Sequence, residues 1–463
     1  MFRRVALLGL LLVAVLWAAP AAPPAKPVPS IDLFFKATSP DDSTANAALA
    51  EIAAGWKDGY TGLIVDEASL MQRTALGNPF SLTRHARLLQ FLETETGQSF
   101  GSSLGRSREW LWSQPYDPHS GYGVFKGGLY EQIDPRFADF FREPVKSSIR
   151  LDQVEWGGVA VNGIPPLDHP KHIAAKDAYL QDSNIVFGVY SAGEARAYPK
   201  RILAWHELAL DRVGDVDLTL VYCTLCGTVI PYNSHVGGTT HTFGTSGLLY
   251  LSNKLMFDAE THSLWSSLEG TPVIGPLVGM GLHLSLLPVV TTTWGEWRHE
   301  HPDTTVLSFD TGYERDYSEG AAYRGYFSTD SLMFQVPAVD KQLRNKDEVL
   351  VPRLADAAGE KPLAIAGRFL QQHRVYHVDD AHRSLIVVTT ATGANRVYDA
   401  GPRRFTAGAD DDHVVDADGQ VWVVEEGRLR SERDPKLVLP RVPAHRAFWF
   451  GWFAQHPDTV LIK

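Results

Sequence analysis

One element occurs twice in this chain, and it constrains the fold more than any other feature. Trp294-x-x-Trp297-x-x-x-His301-Pro302-Asp303-Thr304 recurs as Trp449-x-x-Trp452-x-x-x-His456-Pro457-Asp458-Thr459. A repeat of this kind decides the architecture before any single strand or helix does. Upstream of it the two copies stay in step: Asp258-Ala259 and Trp265 align with Asp416-Ala417 and Trp422, Glu269-Gly270 with Glu426-Gly427, and Leu287-Pro288 with Leu439-Pro440. Gly193-Glu194 matches Gly359-Glu360, and His206 before LTLVY matches His373 before LIVVT. The sequence is therefore read as a tandem duplication, with a first β-rich copy over 159–310 and a second, degenerate copy over 345–463.

The duplication sorts residues. A feature present in both copies is most economically a part of the shared fold. The tryptophan element reads as a short amphipathic helix with both indoles turned inward, ended by the residue before proline, which is pushed out of helical conformation. A feature of one copy alone is a candidate for chemistry. Both cysteines of the 463-residue chain, Cys223 and Cys226, belong to the first copy, as does the segment SGLLYLSN over 246–253. In the second copy Thr390 and Gly393 stand where the cysteines would.

Short β-branched runs bounded by Gly, Pro, Asp or Asn predict strands at Ile185–Tyr190, Leu218–Tyr222, Val229–Tyr232, Val306–Phe309, Leu385–Thr390 and Val421–Val424. Residues 31–145 have a different texture. Asp41, Asp42 and Ser43 precede an apolar pattern through Leu49, Ile52 and Trp56; leucines recur at helical spacing over 82–94 before Gly97; a third helix carries Trp110 and Trp112. The fold class expected is α+β: a helical N-terminal unit, then a β-rich domain built from two duplicated halves.

The first 22 residues combine Arg3 and Arg4, an apolar run from Val5 to Trp17, and an Ala19-x-Ala21 pattern, the layout of a secretory signal peptide. A proline-rich linker follows over 23–30. No later run is long and apolar enough to span a bilayer. The expectation is a secreted or periplasmic protein, with its cysteines in an oxidising compartment. With 43 basic against 54 acidic residues the chain is net −11 and has no basic stripe, which argues against a nucleic-acid partner. The expected partner is a small molecule or a metal ion.

The cysteine pair lies in VYCTLCGTVIPY, between two β-rich runs. That differs from thioredoxin-like sites, where the first thiol caps a helix whose dipole lowers its pKa. Gly227 excludes the haem-attachment motif, which needs histidine there. A C-x-x-C-G turn instead suits a metal knuckle, with glycine in a left-handed conformation and backbone amides directed at the sulfurs. Two thiolates suit a soft ion, copper or zinc, and His206, His241 or His262 would have to complete the coordination. Two further readings stay open: a redox-active disulfide, strained and easily reduced across so short a loop, with Cys223 attacking, and a structural disulfide or pair of inert thiols.

SGLLYLSN is not a nucleophile elbow, so no serine hydrolase is indicated. Its polar groups either close a turn or, with Trp265, line a cleft; Ser246, Tyr250, Asn253 and Trp265 are then ligand-binding candidates. Such a cleft would make the chain a non-enzymatic binding module for a small molecule or glycan.

The runs GEARAYPKRILAWHEL, VYCTLCGT, FGTSGLLYLSNKLMFDAETHSLWS and LPRVPAHRAFWFGWFAQHPDT occur in the order seen in domain of unknown function 3179. From about residue 159 to 463 the chain resembles that family. By this resemblance the family's Cys-x-x-Cys-Gly-Thr falls on Cys223, Cys226, Gly227 and Thr228, and its Trp-His-Glu on Trp205, His206 and Glu207. Ser267 departs from the glutamine expected after Trp-Ser, and residues 347–374 depart from the first copy's GEARAYP pattern. The resemblance implies no activity, cofactor or substrate.

Overall fold

The computed structural model describes residues 27–74, 79–353, 361–379 and 383–463. The expected signal peptide over 1–22, the start of the linker and the Gly359-Glu360 match lie outside the described residues. Among those described, no helix is long and apolar enough to cross a membrane.

Helices occupy Asp42–Ala54, Thr61–Thr74, Pro79–Thr96, Leu104–Ser113 and Tyr122–Glu131. Local chemistry sets their ends. Asp41 accepts the Thr44 backbone N–H at 2.7 Å as an N-cap, and Gly97 leaves the long helix at φ +67°, a conformation cheap only for glycine. Their buried face, including Leu63, Ile64, Phe125 and Leu129, runs without interruption into Leu248, Leu255, Phe257 and Ile274 of the first lobe's meander. The helical unit thus caps that sheet and has no separate core.

The two lobes repeat one another in topology. The first has a sheet in the order Val289–Thr293, Ile185–Ser191, Glu194–Pro199, Thr305–Leu307, with His172–Ala174 added at the edge; the second has Ala444–Phe448, Glu348–Pro352, Leu363–Ala366, Val460–Ile462 in the same order. In both, the final strand joins parallel to its neighbour while the other pairs among these four are antiparallel. The helices Trp294–Glu300 and Trp449–Phe453 sit between matching strands, and Trp294, Trp297, Trp449 and Trp452 are all buried. Trp297 donates through Nε1 to Thr304 Oγ1, and Trp452 to Thr459 Oγ1, each at 2.9 Å. Trp265 donates to Asp258 Oδ2 at 2.8 Å, and Trp422 to Asp416 Oδ2 at 2.9 Å. A buried indole N–H needs a partner, and each lobe supplies it from the same place.

The lobes diverge in how their meanders close. In the second, Val438–Val442 bridges Asn395–Asp399 to Arg428–Ser431, giving one eight-stranded sheet. In the first, the hairpin strands Val216–Cys223 and Thr228–Asn233 and the meander Phe243–Tyr250, Asn253–Asp258, Leu264–Ser266, Pro272–Ile274 belong to separate sheets. The gap between those two sheets holds the cysteine turn.

Candidate functional site

Cys223 is the last residue of its strand and pairs in register with Thr228, so residues 224–227 form a tight hairpin turn. Gly227 closes it at φ +63°, the left-handed conformation expected of it, and an added Cβ would lie 2.9 Å from the Phe448 ring. The second lobe packs directly on this turn. Phe448 N–H donates to Cys226 O at 2.7 Å, and a Cβ on Gly451 would stand 3.1 Å from the Cys226 sulfur. Phe448 and Phe450 join Leu225, Leu249 and Phe334 in an apolar cluster around both thiols.

Both cysteines are free and buried. Cys226 Sγ lies 3.2 Å from Ser252 O, a carbonyl presented by the two-residue turn Leu251-Ser252, where both residues have positive φ. The thiols titrate in opposite directions. A hydrogen bond from Cys226 holds Cys223 below the ordinary thiol value against burial and the Glu207 carboxylate, aided by the Lys254 backbone N–H and ammonium. Burial, then donation to Cys223, pushes Cys226 well up. One S–H serves one acceptor at a time, and a thiolate on Cys223 is a stronger acceptor than the Ser252 carbonyl.

Next to Cys223 stands a buried polar network. Glu207, at φ +57° just beyond the helix Lys200–His206, forms an ion pair with Lys254, and both are about 5 % exposed. Thr224 Oγ1 donates to Glu207 Oε1 at 2.6 Å and Tyr323 OH at 3.0 Å. Holding a non-glycine residue in the left-handed region costs free energy, and here the surrounding ion pair and two hydrogen bonds fix it. Cys223, Thr224, Glu207 and Lys254 border a cavity of about 60 Å³ whose other walls include Leu248 and Phe334. Beyond its ion pair, Lys254 Nζ has no hydrogen-bond acceptor among the described residues.

The other residues singled out in the sequence lie elsewhere. His206 is buried, with Nδ1 2.9 Å from Pro165 O and Nε2 2.6 Å from Tyr317 OH, so both ring nitrogens are engaged; burial lowers its pKa. Its counterpart His373 also places Nδ1 on a backbone carbonyl, Phe369 O at 2.7 Å, but on the helix that it caps. His262 occupies the hairpin turn before Leu264–Ser266 at φ +57°. His241 stands by Asp258 and Glu260. Two groups of three His, Cys, Asp or Glu side chains bring donor atoms close together among the described residues, and neither contains a cysteine.

Ser246 accepts the Leu248 N–H at 3.0 Å and donates to Leu255 O, tying an irregular stretch of its strand. Tyr250 is half-buried against the helical unit, Asn253 donates to Gly451 O at 3.0 Å, and Trp265 lies wholly in the core. None of the four borders the cavity at Cys223, whereas their neighbours Gly247, Leu249 and Lys254 do. Sequence reasoning missed Lys254 and Tyr323. Lys254 carried a usable signal: it is the one cation in Asn253–Asp258, a strand in which every residue is buried.

No curated protein and no solved structure matches the chain. A family model described as protein of unknown function (DUF3179) matches residues 161–459, a span that takes in both lobes, the cysteine turn, Glu207 and Lys254. The chain belongs to the DUF3179 family.

Proposed function

We propose that Cys223 and Cys226 are a dithiol pair that reduces a small oxidant of the hydroperoxide class, Cys223 attacking and Cys226 resolving. The observation that carries this reading is that Cys223 and Lys254 border one cavity while Cys226 hydrogen-bonds the Cys223 sulfur. At about 60 Å³ the cavity has room for a few water-sized groups. A peptide disulfide would not reach Cys223, which is 2 % exposed.

Thiolate is the nucleophilic form, and Cys223 is the thiol biased toward it. Its sulfur attacks one peroxide oxygen, forming an S–O bond as the O–O bond breaks. The departing alkoxide or hydroxide meets Lys254 Nζ and takes up the proton that Cys223 released on ionising. Cys226 then attacks the Cys223 sulfur; an S–S bond forms, the S–O bond breaks, and the hydroxyl leaves with the Cys226 proton as water. Two thiols are oxidised to a disulfide while the hydroperoxide is reduced to alcohol and water. A thiol reductant restores the pair, and export through the N-terminal segment would require that reductant outside the cytoplasm.

The test is to mix the reduced chain with hydrogen peroxide and follow its thiols by mass spectrometry. Wild type should form the 223–226 disulfide, and Cys226→Ser should stop at a sulfenic acid on Cys223 that dimedone traps. Oxidation of Cys223 no faster than that of free cysteine would sink the reading. A second reading is supported by the Lys254 backbone N–H directed at the Cys223 sulfur: two thiolates on one turn also suit a soft ion such as copper(I). Copper or zinc retained stoichiometrically by wild type, protecting both thiols and lost in Cys226→Ser, would favour that reading.

A further inference from the structure

Each lobe holds an aspartate at one register position under a buried indole, and the residue facing that aspartate differs. In the second lobe Phe405 pairs with Asp416, and Arg403, two residues before Phe405, brings its guanidinium 3.6 Å from Asp416 Oδ2 and 5.1 Å over the Trp422 ring. In the first lobe Phe243 pairs with Asp258, and His241 takes the place of Arg403, its ring 5.5 Å from that of Trp265. The frames are otherwise alike: Phe243 meets Trp265 edge-on at 5.4 Å, and Phe405 meets Trp422 at 5.5 Å. One lobe supplies a permanent cation against the aspartate. The other supplies an imidazole and a second carboxylate, Glu260.

His241 Nδ1 lies 3.8 Å from Asp258 Oδ1 and 3.6 Å from Glu260 Oε2, and the three donor atoms are mutually within 4.8 Å. His241 is 6 % exposed, yet its Nδ1 has no hydrogen-bond partner among the described residues. A buried ring nitrogen aimed at two carboxylates without bonding to either is a costly arrangement unless something positive sits between them.

We infer that His241, Asp258 and Glu260 form a site for a divalent transition-metal cation, zinc by the chemistry of the donors, separate from the cysteine turn. Nitrogen and oxygen ligands about 2.0–2.1 Å from a tetrahedral zinc stand roughly 3.4 Å apart, close to the 3.6 and 3.8 Å that separate His241 Nδ1 from the two carboxylates. The supporting bonds are in place. Asp258 is held by Trp265 Nε1 at 2.8 Å and Thr261 Oγ1 at 2.8 Å, and the Glu260 carboxylate accepts the Thr242 N–H at 3.0 Å. Three protein ligands leave a fourth position open, and the Glu260 side chain, 35 % exposed, places it toward solvent. The other close group, Glu300, His301 and Glu426, differs: Arg396, buried there, forms ion pairs with both glutamates and is itself the cation.

The test uses the full chain carrying Cys223→Ser and Cys226→Ser, so that no thiol competes, titrated with zinc chloride in a calorimeter. One equivalent should bind, and either His241→Arg or Glu260→Gln should weaken binding by at least ~10-fold. His241→Arg recreates the second lobe's arginine-aspartate contact, so its thermal midpoint should hold while the zinc-induced rise in midpoint disappears. Should that variant fail to fold, Glu260→Gln at the exposed rim gives the same readout. No zinc uptake by the cysteine-free chain, or uptake unchanged in both variants, would overturn the inference.

Discussion

The CTLCG turn of the first lobe and its counterpart over 390–394 in the second occupy matching places in the repeat and share almost no chemistry; even the left-handed glycine differs, Gly227 closing the first turn and Gly393 the second. Each links the central strands of a hairpin, and each is covered by the tryptophan helix of the opposite lobe. Against the first turn that helix presents Gly451, leaving room for the Cys226 sulfur; against the second it presents Glu296, which accepts the Thr390 hydroxyl at 3.2 Å. The charges beside the turns are reversed. Glu207 pairs with Lys254 in the first lobe, while Arg374, at the position equivalent to Glu207, pairs with Asp411 in the second. The pair beside the cysteines is buried; its counterpart is about one-third exposed or more. The frame of indole hydrogen bonds is common to both lobes, whereas the turn and the positions facing it differ between them.

The sharpest way to break this comparison is at the thiols. Cys223→Ser should reduce peroxide consumption and iodoacetamide labelling near neutral pH to background. Thr390→Cys in that variant should not restore them, because Arg374 and Asp411 are engaged with each other and the repeat puts Asp412 where the first lobe has Lys254. Recovery at position 390 would show that the frame alone activates a thiol.

The ion pairs come next. Lys254→Met leaves the Glu207 carboxylate buried without its cation and should cost about 3–5 kcal/mol in urea denaturation. Adding Glu207→Gln should recover most of that loss. Arg374→Met in the other lobe should cost only about 0–1 kcal/mol, since its pair is solvated. The cation also assists the Cys223 thiolate, so Lys254→Met should raise the pH at which Cys223 alkylates at half its maximal rate. A smaller effect is expected behind the turn. Gly451→Ala puts a methyl 2.9 Å from the Cys226 Cβ and should destabilise by about 1–3 kcal/mol through overpacking, whereas Glu296→Ala should cost about 1 kcal/mol.

Much of this arrangement was legible in the sequence. The duplication, the inward tryptophans, the left-handed Gly227 and the run Val421–Val424 follow from period and turn chemistry, which act over a few residues. The set of groups around Cys223 was not legible, because Glu207, Lys254 and Tyr323 meet there only through packing between separate sheets and a connecting segment. The partners of His206 were hidden for the same reason: Pro165 O and Tyr317 OH are both distant from it in the chain. Ser246 and Trp265 looked like ligand groups because polar and aromatic residues interleave there, but a buried hydroxyl or indole first satisfies the nearest backbone or carboxylate.

The smallest effect that sharpens the comparison is expected at one of the contacts that tie the lobes together. Glu269 accepts from His456 Nε2 at 2.9 Å and Arg353 Nη2 at 2.7 Å, and the repeat places Glu426 at the matching position, between the buried guanidiniums of Arg396 and Arg441. Burial alone would raise the Glu269 pKa, but the His456 hydrogen bond and Arg353 outweigh it and hold the carboxyl down at about 2. Its folded value therefore lies below the ordinary 4.5, so its contribution is complete above about pH 4.5 and is lost as pH falls toward 2. Glu269 is partly exposed, which discounts the effect to about 1–2 kcal/mol. Denaturation midpoints near pH 6 and pH 3 should show wild type losing that much more on acidification than Glu269→Gln. Equal losses would mean that the Glu269 carboxylate adds nothing to the union of the lobes, which would then rest on the apolar seam at Phe448 and Phe450 and on the remaining polar contacts such as Asn253 with Gly451.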